Sequence, residues 1–582
     1  MADFALRDVV SGQTVALADF AGRPAVVVAF LGIDCPIAEL YAPRLAALSR
    51  DYESRGVAFL GVNANAHDAV EEIAAHAQRL HIPFPVLRDE GNVLADRLKA
   101  DRMCEIVVLD GRKMVRYRGA IDDQYQIGAR RDEPERHYLA DALEAILAGR
   151  RVAVAESEVF GCPIERVKPQ APRRRMTGGA PGASLAQESP EEVGPVTYAE
   201  HVAPIVQSKC QDCHRPGEAG PFPLLTYEHV RRRASTLREA VDERRMPPWY
   251  ADPRYGHFAN DRSLSARERA TLLAWVDQGT PRGADATMPP PHTFPQGWKI
   301  GTPDAVVSML ESYSVQAEGV VPYQRFRIPT GFTEDKWVQA VEGRPGDRNV
   351  VHHISIFIES HDSDRNNTHR TGPCLVTYAP GDIPGIYPPG VAKRIPAGSD
   401  LLFEVHYTPI GRERTDRSSV GLIFAKGPVR YEAITKGIPP PGPPDKRLEI
   451  PPGAENHEVR AAFTFRSDSH LIGMMPHMHL RGKDFQYTLR LPDGTSEILL
   501  SVPAFNFAWQ DIYRFPEPRR LPKGARIECI AHYDNSRNNP ANPDPTATVR
   551  WGDYTWDEMM IGYIDYYIDV LPKDGLKIGE DF

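Results

Sequence analysis

The spacing of apolar residues changes character twice along this chain. Over residues 1–166, wholly apolar stretches alternate with segments of helical period. AVVVAFL (25–31) and VAFLGVNAN (57–65) predict buried strands, and residues 36–54 and about 68–80 predict helices. EIVVLD (105–110) and KMVRYRGA (113–120) predict two more strands, followed by a helix near 137–149. Strands and helices in this order imply an α/β sandwich around a partly parallel sheet. Residues 167–194 have no apolar period and are rich in Pro, Gly, Ser and Arg, as flexible linkers are.

Residues 195–290 return to helical spacing, with LSARERATLLAWVDQG (264–279) predicting an amphipathic helix that stops at Gly279. From about 295 the period shortens to alternating strands broken by Pro/Gly turns, as in antiparallel sandwiches. LLFEVHYTP (401–409), VGLIFA (420–425), FQYTLRLPDG (485–494) and ARIECIAHYDN (525–535) are examples, and GIPPPGPPD (437–445) splits the region in two. The expected fold is therefore multidomain. It comprises an α/β domain (1–166), a linker (167–194), a small all-α domain (195–290) and two all-β antiparallel, jelly-roll-like sandwich subdomains (291–437 and 438–582).

Composition narrows the partners. With 69 basic against 78 acidic residues the formal charge is −9, and no long basic run exists. Nucleic acid is therefore not an expected partner, because phosphate binding needs clustered Lys and Arg. No apolar run reaches the ~18 residues that span a bilayer, so no transmembrane segment is expected, and no signal-peptide pattern follows Met1. Prolines number 53 in 582 residues, about 9% where ~5% is usual, which favours loops and edge strands.

The chemistry lies in cysteine and histidine groupings. Cys35, in FLGIDCPIAELY, sits where a strand hands over to a helix, so the helix dipole lowers its pKa and makes the thiolate a nucleophile. CQDCH (210–214) is a c-type haem attachment pentapeptide, with Cys210 and Cys213 as the thioether residues and His214 as the iron ligand. A zinc site would need further close Cys or His, and the next histidine, His257, is isolated. Met246, in RRMPPW, is the candidate sixth ligand.

Four histidine groups follow: VVHHISIF (350–357), EVHYTP (404–409), MMPHMHLRGKDF (474–485) and AHYDN (531–535). His477 and His479, two apart, project from one face of a strand and can chelate one ion. His352 and His353 are adjacent, so joint ligation requires a bulge, and His406 on another strand could close that site. Imidazole suits Zn, Cu, Fe or Ni, whereas a thioether favours Cu(I). His361, His369, His457 and His470 read as surface or satisfied core residues, Met474, Met475 and Met478 as packing, and His532 as ambiguous.

Three resemblances cover most of the chain. Residues 5–165 resemble the thioredoxin/redoxin family, and two readings of Cys35 stand there: it pairs with Cys104 or Cys162 in a redox-active disulfide, or it is an unpaired remnant in a docking domain. The sequence departs from that family in three places. CxxC has become Cys35-Pro36-Ile37-Ala38, Gly32 stands where peroxidases carry a hydroxyl residue, and Cys104 occupies the cis-proline turn. Residues 195–285 resemble small class I-like cytochromes c, which implies one covalently attached haem c and a periplasmic or exported protein.

About residues 300–570 resemble the type II copper, ascorbate-dependent monooxygenases (peptidylglycine α-hydroxylating and dopamine β-monooxygenase). The ordered motifs are the HH pair, the VHY histidine, an HxH followed by Leu, and WDEMMIGYIDYY (556–567). The likeness implies two copper ions. His352, His353 and His406 would hold one that stores an electron. His477, His479 and Met559 (Met560 in the other register) would hold one that binds O2 and attacks a C–H bond, with Tyr563 lining that site.

Cys374 and Cys529, one in each half, leave no room for the animal enzymes' disulfide framework. The implied function is hydroxylation of a small-molecule or peptide substrate. Electrons would come from a periplasmic donor or an ascorbate-like reductant through the haem, with the thiol domain as a further source. The alternatives are a copper-binding or copper-trafficking protein and a thiol–disulfide oxidoreductase.

Overall fold

The computed structural model describes residues 3–126, 129–131, 133–167, 193–360, 372–381 and 383–568. His361, His369 and most of the expected 167–194 linker lie outside them.

The first unit is a seven-stranded sheet with Ala25–Phe30 near its centre, parallel to Ala58–Asn63 and antiparallel to Ile106–Asp110. All six residues of Ala25–Phe30 are buried, because helices cover both faces of the sheet. Pro36–Glu53, Val70–Arg79 and Tyr138–Leu147 match the predicted helices. The short strands Ala5–Asp8, Thr14–Ala16 and Val86–Arg88 and the helix Val93–Leu98 were not foreseen. Each is too short to build a period.

Residues 195–290 hold the helices Ala203–Lys209, Tyr227–Arg231, Ala234–Asp242 and Ala266–Asp277 around Trp275, which is fully buried among Tyr198, Val206 and Leu272. Ser265 caps the last helix, its hydroxyl accepting from the Glu268 amide while Glu268 reaches back. This stretch is not self-contained. Trp249, Tyr250 and Phe258 leave the helical core and pack into the C-terminal β core, where Trp249 meets Tyr513 edge-on at 4.8 Å.

The rest is all-β. The two halves share one nine-stranded sheet, a departure from two separately closed sandwiches. The join is made by Tyr431–Ile438 of the first half, which pairs antiparallel with Ile561–Ile568 of the second. A four-stranded sheet covers each half of it, one containing Val351–Glu359 and Asp400–Tyr407, the other Gly482–Arg490 and Arg526–Tyr533. The histidines therefore lie on elements that one continuous sheet holds in a common frame.

Candidate functional site

In the strand Val351–Glu359, Val351 opposes Tyr407 and His353 opposes His406, so the register slips by one residue at His352. This is the bulge that adjacent ligands require, and it turns both rings the same way. The Nδ1 atoms of His352 and His353 face each other at 3.1 Å. The buried Nδ1 of His406 has no hydrogen-bond partner. One nitrogen from each of the three rings lies within 4.8 Å of the others.

Two ligands on a tetrahedral ion with ~2.0 Å bonds stand about 3.3 Å apart, so the His352–His353 spacing of 3.1 Å suits one metal, and the 4.8 Å limit on the trio requires the rings to close slightly around it. Burial pushes His352 down to about 4, and burial with mutual repulsion pushes His353 and His406 well below the usual range. All three are thus neutral and able to donate a lone pair. Tyr323 shares a 3.0 Å hydrogen bond with His353 Nε2 and stacks on His406.

His477 closes the strand Ser469–His477, and His479 lies just beyond it in the turn, a correction to the expectation of one regular strand. The two rings are still only 5.3 Å apart. His477 opposes Ile561 in the neighbouring strand, and continuing that register brings His479 level with Met559. Glu558 makes the junction firm, since its Oε2 accepts from the amides of His479 (2.8 Å) and Met559 (3.2 Å) and its Oε1 from that of Arg481 (2.6 Å). His477 Nδ1 donates to Gln510 Oε1 at 2.5 Å, which leaves Nε2 turned away from it.

His353, His477, His479, Met559, Met475 and Tyr563 line one cavity of about 650 Å³ including its mouth. Met560 is wholly buried in the core, so only the Met559 register reaches the cavity. Met474 and Met478 are core residues, whereas Met475 is cavity wall. His532 pairs with Asp484 at 2.7 Å, and His470 stacks flat on Tyr567. Residue patterns did not single out Glu558, Gln510, Tyr323 or Phe507. Glu558 alone left a trace, as the acidic neighbour of Met559.

At the thiol site Cys35 is the N-cap of Pro36–Glu53 and is fully buried. Hydrogen bonds from the thiols of Cys104 and Cys162 hold it well below the usual thiol range. Burial and the bond to Cys35 push the other two thiols up. Cys104 has φ +67°, a left-handed backbone in the turn where the family has its cis-proline. A Cβ at Gly32 would meet Met103 Sδ at 2.0 Å, so a hydroxyl residue there would require the Met103 side chain to shift. The helical unit roofs this site through the ion pairs Asp34–Arg233 and Arg102–Glu239 and through Ser235, whose hydroxyl and amide both donate to Glu165.

In the CQDCH turn, His214 Nδ1 donates to the Phe222 carbonyl at 3.0 Å, fixing the tautomer that frees Nε2, as an axial ligand needs. Cys210 and Cys213 are partly buried beside it. A Cβ on Gly381, in the β region, would stand 3.3 Å from Cys213 Sγ. Met246 is partly buried, two residues before Pro248, whose carbonyl accepts from Arg262. Arg262 also donates to the Gly381 carbonyl.

The AhpC/TSA family model matches residues 1–121, about a fifth of the chain. Together with the sheet order, it makes the N-terminal unit a redoxin domain of thioredoxin-like fold, oxidoreductase-like in class. No curated protein matches the chain. Among solved structures, an uncharacterized conserved protein from Geobacillus kaustophilus is 31% identical, with 29% of this chain and 91% of that one covered at a TM-score of 0.27. A hypothetical protein from Sinorhizobium meliloti is 27% identical over 29% and 93% of the two chains (TM-score 0.27). Peroxidoxin BcpB from Mycobacterium tuberculosis is 18% identical over 25% and 91% (TM-score 0.19). No helix among the described residues is long and apolar enough to cross a membrane.

Proposed function

We propose that this chain is an exported copper-dependent monooxygenase that hydroxylates a C–H bond, with electrons entering through a c-type haem on Cys210, Cys213 and His214. The observation that carries the reading is the convergence of His477, His479 and Met559 on one cavity wall that His353 also lines. In this reading His352, His353 and His406 hold one copper, and His477, His479 and Met559 the other. When bound, copper supplies one-electron storage at the first group and dioxygen activation at the second.

The chain's own residues do the rest. Burial keeps the imidazoles of His352, His353 and His406 neutral, and Gln510 and the Asp557 carbonyl orient His477 and His479. Tyr563, whose ring lies 6.2 Å from that of His477, meets a substrate entering beside it. Met246 is the proposed second haem ligand, on the sequence pattern RRMPPW alone. Export follows from the haem, because such attachment takes place outside the bacterial cytoplasm.

The deciding measurement is metal and haem content of the full chain, with oxygen uptake in the presence of an ascorbate-like reductant. Two coppers and one covalent haem per chain are expected, with uptake lost in Met559→Ala. Fewer than two coppers, or uptake indifferent to Met559, would overturn the reading. The three-thiol cluster favours a second activity, thiol–disulfide exchange by the redoxin domain. Cys35→Ser should abolish that exchange and leave copper content unchanged.

A further inference from the structure

Residues 503–512 connect the strand Ser496–Val502 of a four-stranded sheet to Tyr513–Leu521 of the nine-stranded one. The connection crosses to the histidines of the other half. The Phe507 ring lies 5.7, 6.5 and 5.9 Å from those of His352, His353 and His406, and 5.9 Å from that of His479. One side chain therefore occupies the space between the two histidine groups. Just after it, the Ala508 backbone is hydrogen-bonded to His352, and Gln510 Oε1 accepts from His477.

The loop is in turn gripped by the helical unit. The Asp252 amide donates to the Ser501 carbonyl (2.8 Å), Asn506 donates to the Tyr250 hydroxyl (3.3 Å), Arg262 pairs with Asp511, and Asn260 donates to the Ile512 carbonyl (2.6 Å).

We propose that loop 503–512 ties the two metal groups into one unit, with Gln510 positioning His477 and Phe507 setting the separation of the groups. The segment 249–262 of the haem-bearing unit holds the loop in place. The assignment rests on the two-copper reading above and adds how those centres are kept in register with each other and with the helical unit. It has a chemical consequence, since transfer of an electron between the groups depends steeply on their spacing, and the spacer is a residue that ligates nothing.

The test uses the full chain loaded with copper, comparing the parent with Gln510→Ala, Gln510→Glu, Phe507→Ala, Phe507→Leu and Asn506→Ala. Chelator competition reads the affinity of each copper, and low-temperature EPR of the fully oxidised protein reads the dipolar broadening between the two ions. Gln510→Ala should weaken one of the two coppers about 10- to 100-fold, the usual cost of losing a partner behind a ligating histidine, with Gln510→Glu recovering most of it. Phe507→Ala should change the broadening, Phe507→Leu should retain it, and Asn506→Ala should shift it in the same sense as Phe507→Ala. A parent that binds fewer than two coppers overturns the copper reading and this assignment together. Two bound coppers with parent-like broadening in Phe507→Ala and Asn506→Ala, or equal weakening of both coppers in Gln510→Ala, overturn this assignment alone.

Discussion

A buried imidazole nitrogen without a partner costs roughly 1–3 kcal/mol, and His406 carries one beside two half-buried histidines. A fold retains such a cost where the nitrogen has another use. Replacing His406 by Phe, which fills the same space with no polar atom, should therefore raise the thermal midpoint of the metal-free chain while lowering bound copper by one per chain. Calorimetry with metal analysis reads both. A lowered midpoint would make His406 a structural residue.

The candidate ligands were legible from residue type and spacing, as was the bulge that joint ligation by the His352–His353 pair demands. The family likeness preferred Met559 and kept Met560 as the other register, and only the packed strands separate the two, because neighbours in a sequence differ in burial only once the partner strand is in place. Gln510 and Phe507 were invisible for the same reason. Glutamine and phenylalanine in a loop have no local signature of what they touch.

At the scale of elements, docking of the helical unit on the redoxin domain passes through Glu165. Burial pushes this carboxyl up to about 7, against the bonds from Ser235 and Thr236 that draw it down. The folded chain thus keeps a proton that the unfolded chain releases near 4.5, and stability falls as pH rises from about 4.5 through 7. Glu165→Gln should flatten that part of the curve and be the more stable form above pH 7, as read from thermal midpoints between pH 5 and 8. A curve parallel to the parent's would remove Glu165 as the source.

The helix Ala266–Asp277 offers a simpler test, since its capping box was written in the residues Ser265 and Glu268 themselves. Ser265→Ala should cost about 1 kcal/mol, measured by denaturant unfolding. Long helices and strands were readable because their period repeats several times. Three-residue strands such as Val86–Arg88 exist only because a neighbouring strand completes their hydrogen bonds.

For the whole molecule, the order of units suggests a route for electrons. Cys213 stands beside Gly381 of the β region, close to Tyr378, which lines the histidine cavity. On the proposed function, reduced haem in stopped-flow mixing should reoxidise quickly only when copper and oxygen are both present. Reoxidation of equal speed without copper would break the route.

Which residues are candidates for chemistry, that an α/β unit precedes helices and then strands, and that joint ligation by His352 and His353 needs a bulge were all determined by the sequence alone. Each depends on residue type and on spacing within a few turns of chain. Tertiary structure alone decided that the two β halves share a sheet, that three thiols 58 and 69 residues apart meet at Cys35, and that a phenylalanine lies between two histidine groups. Those arrangements are contacts between distant segments, set by how buried faces fit together, and no local period encodes them.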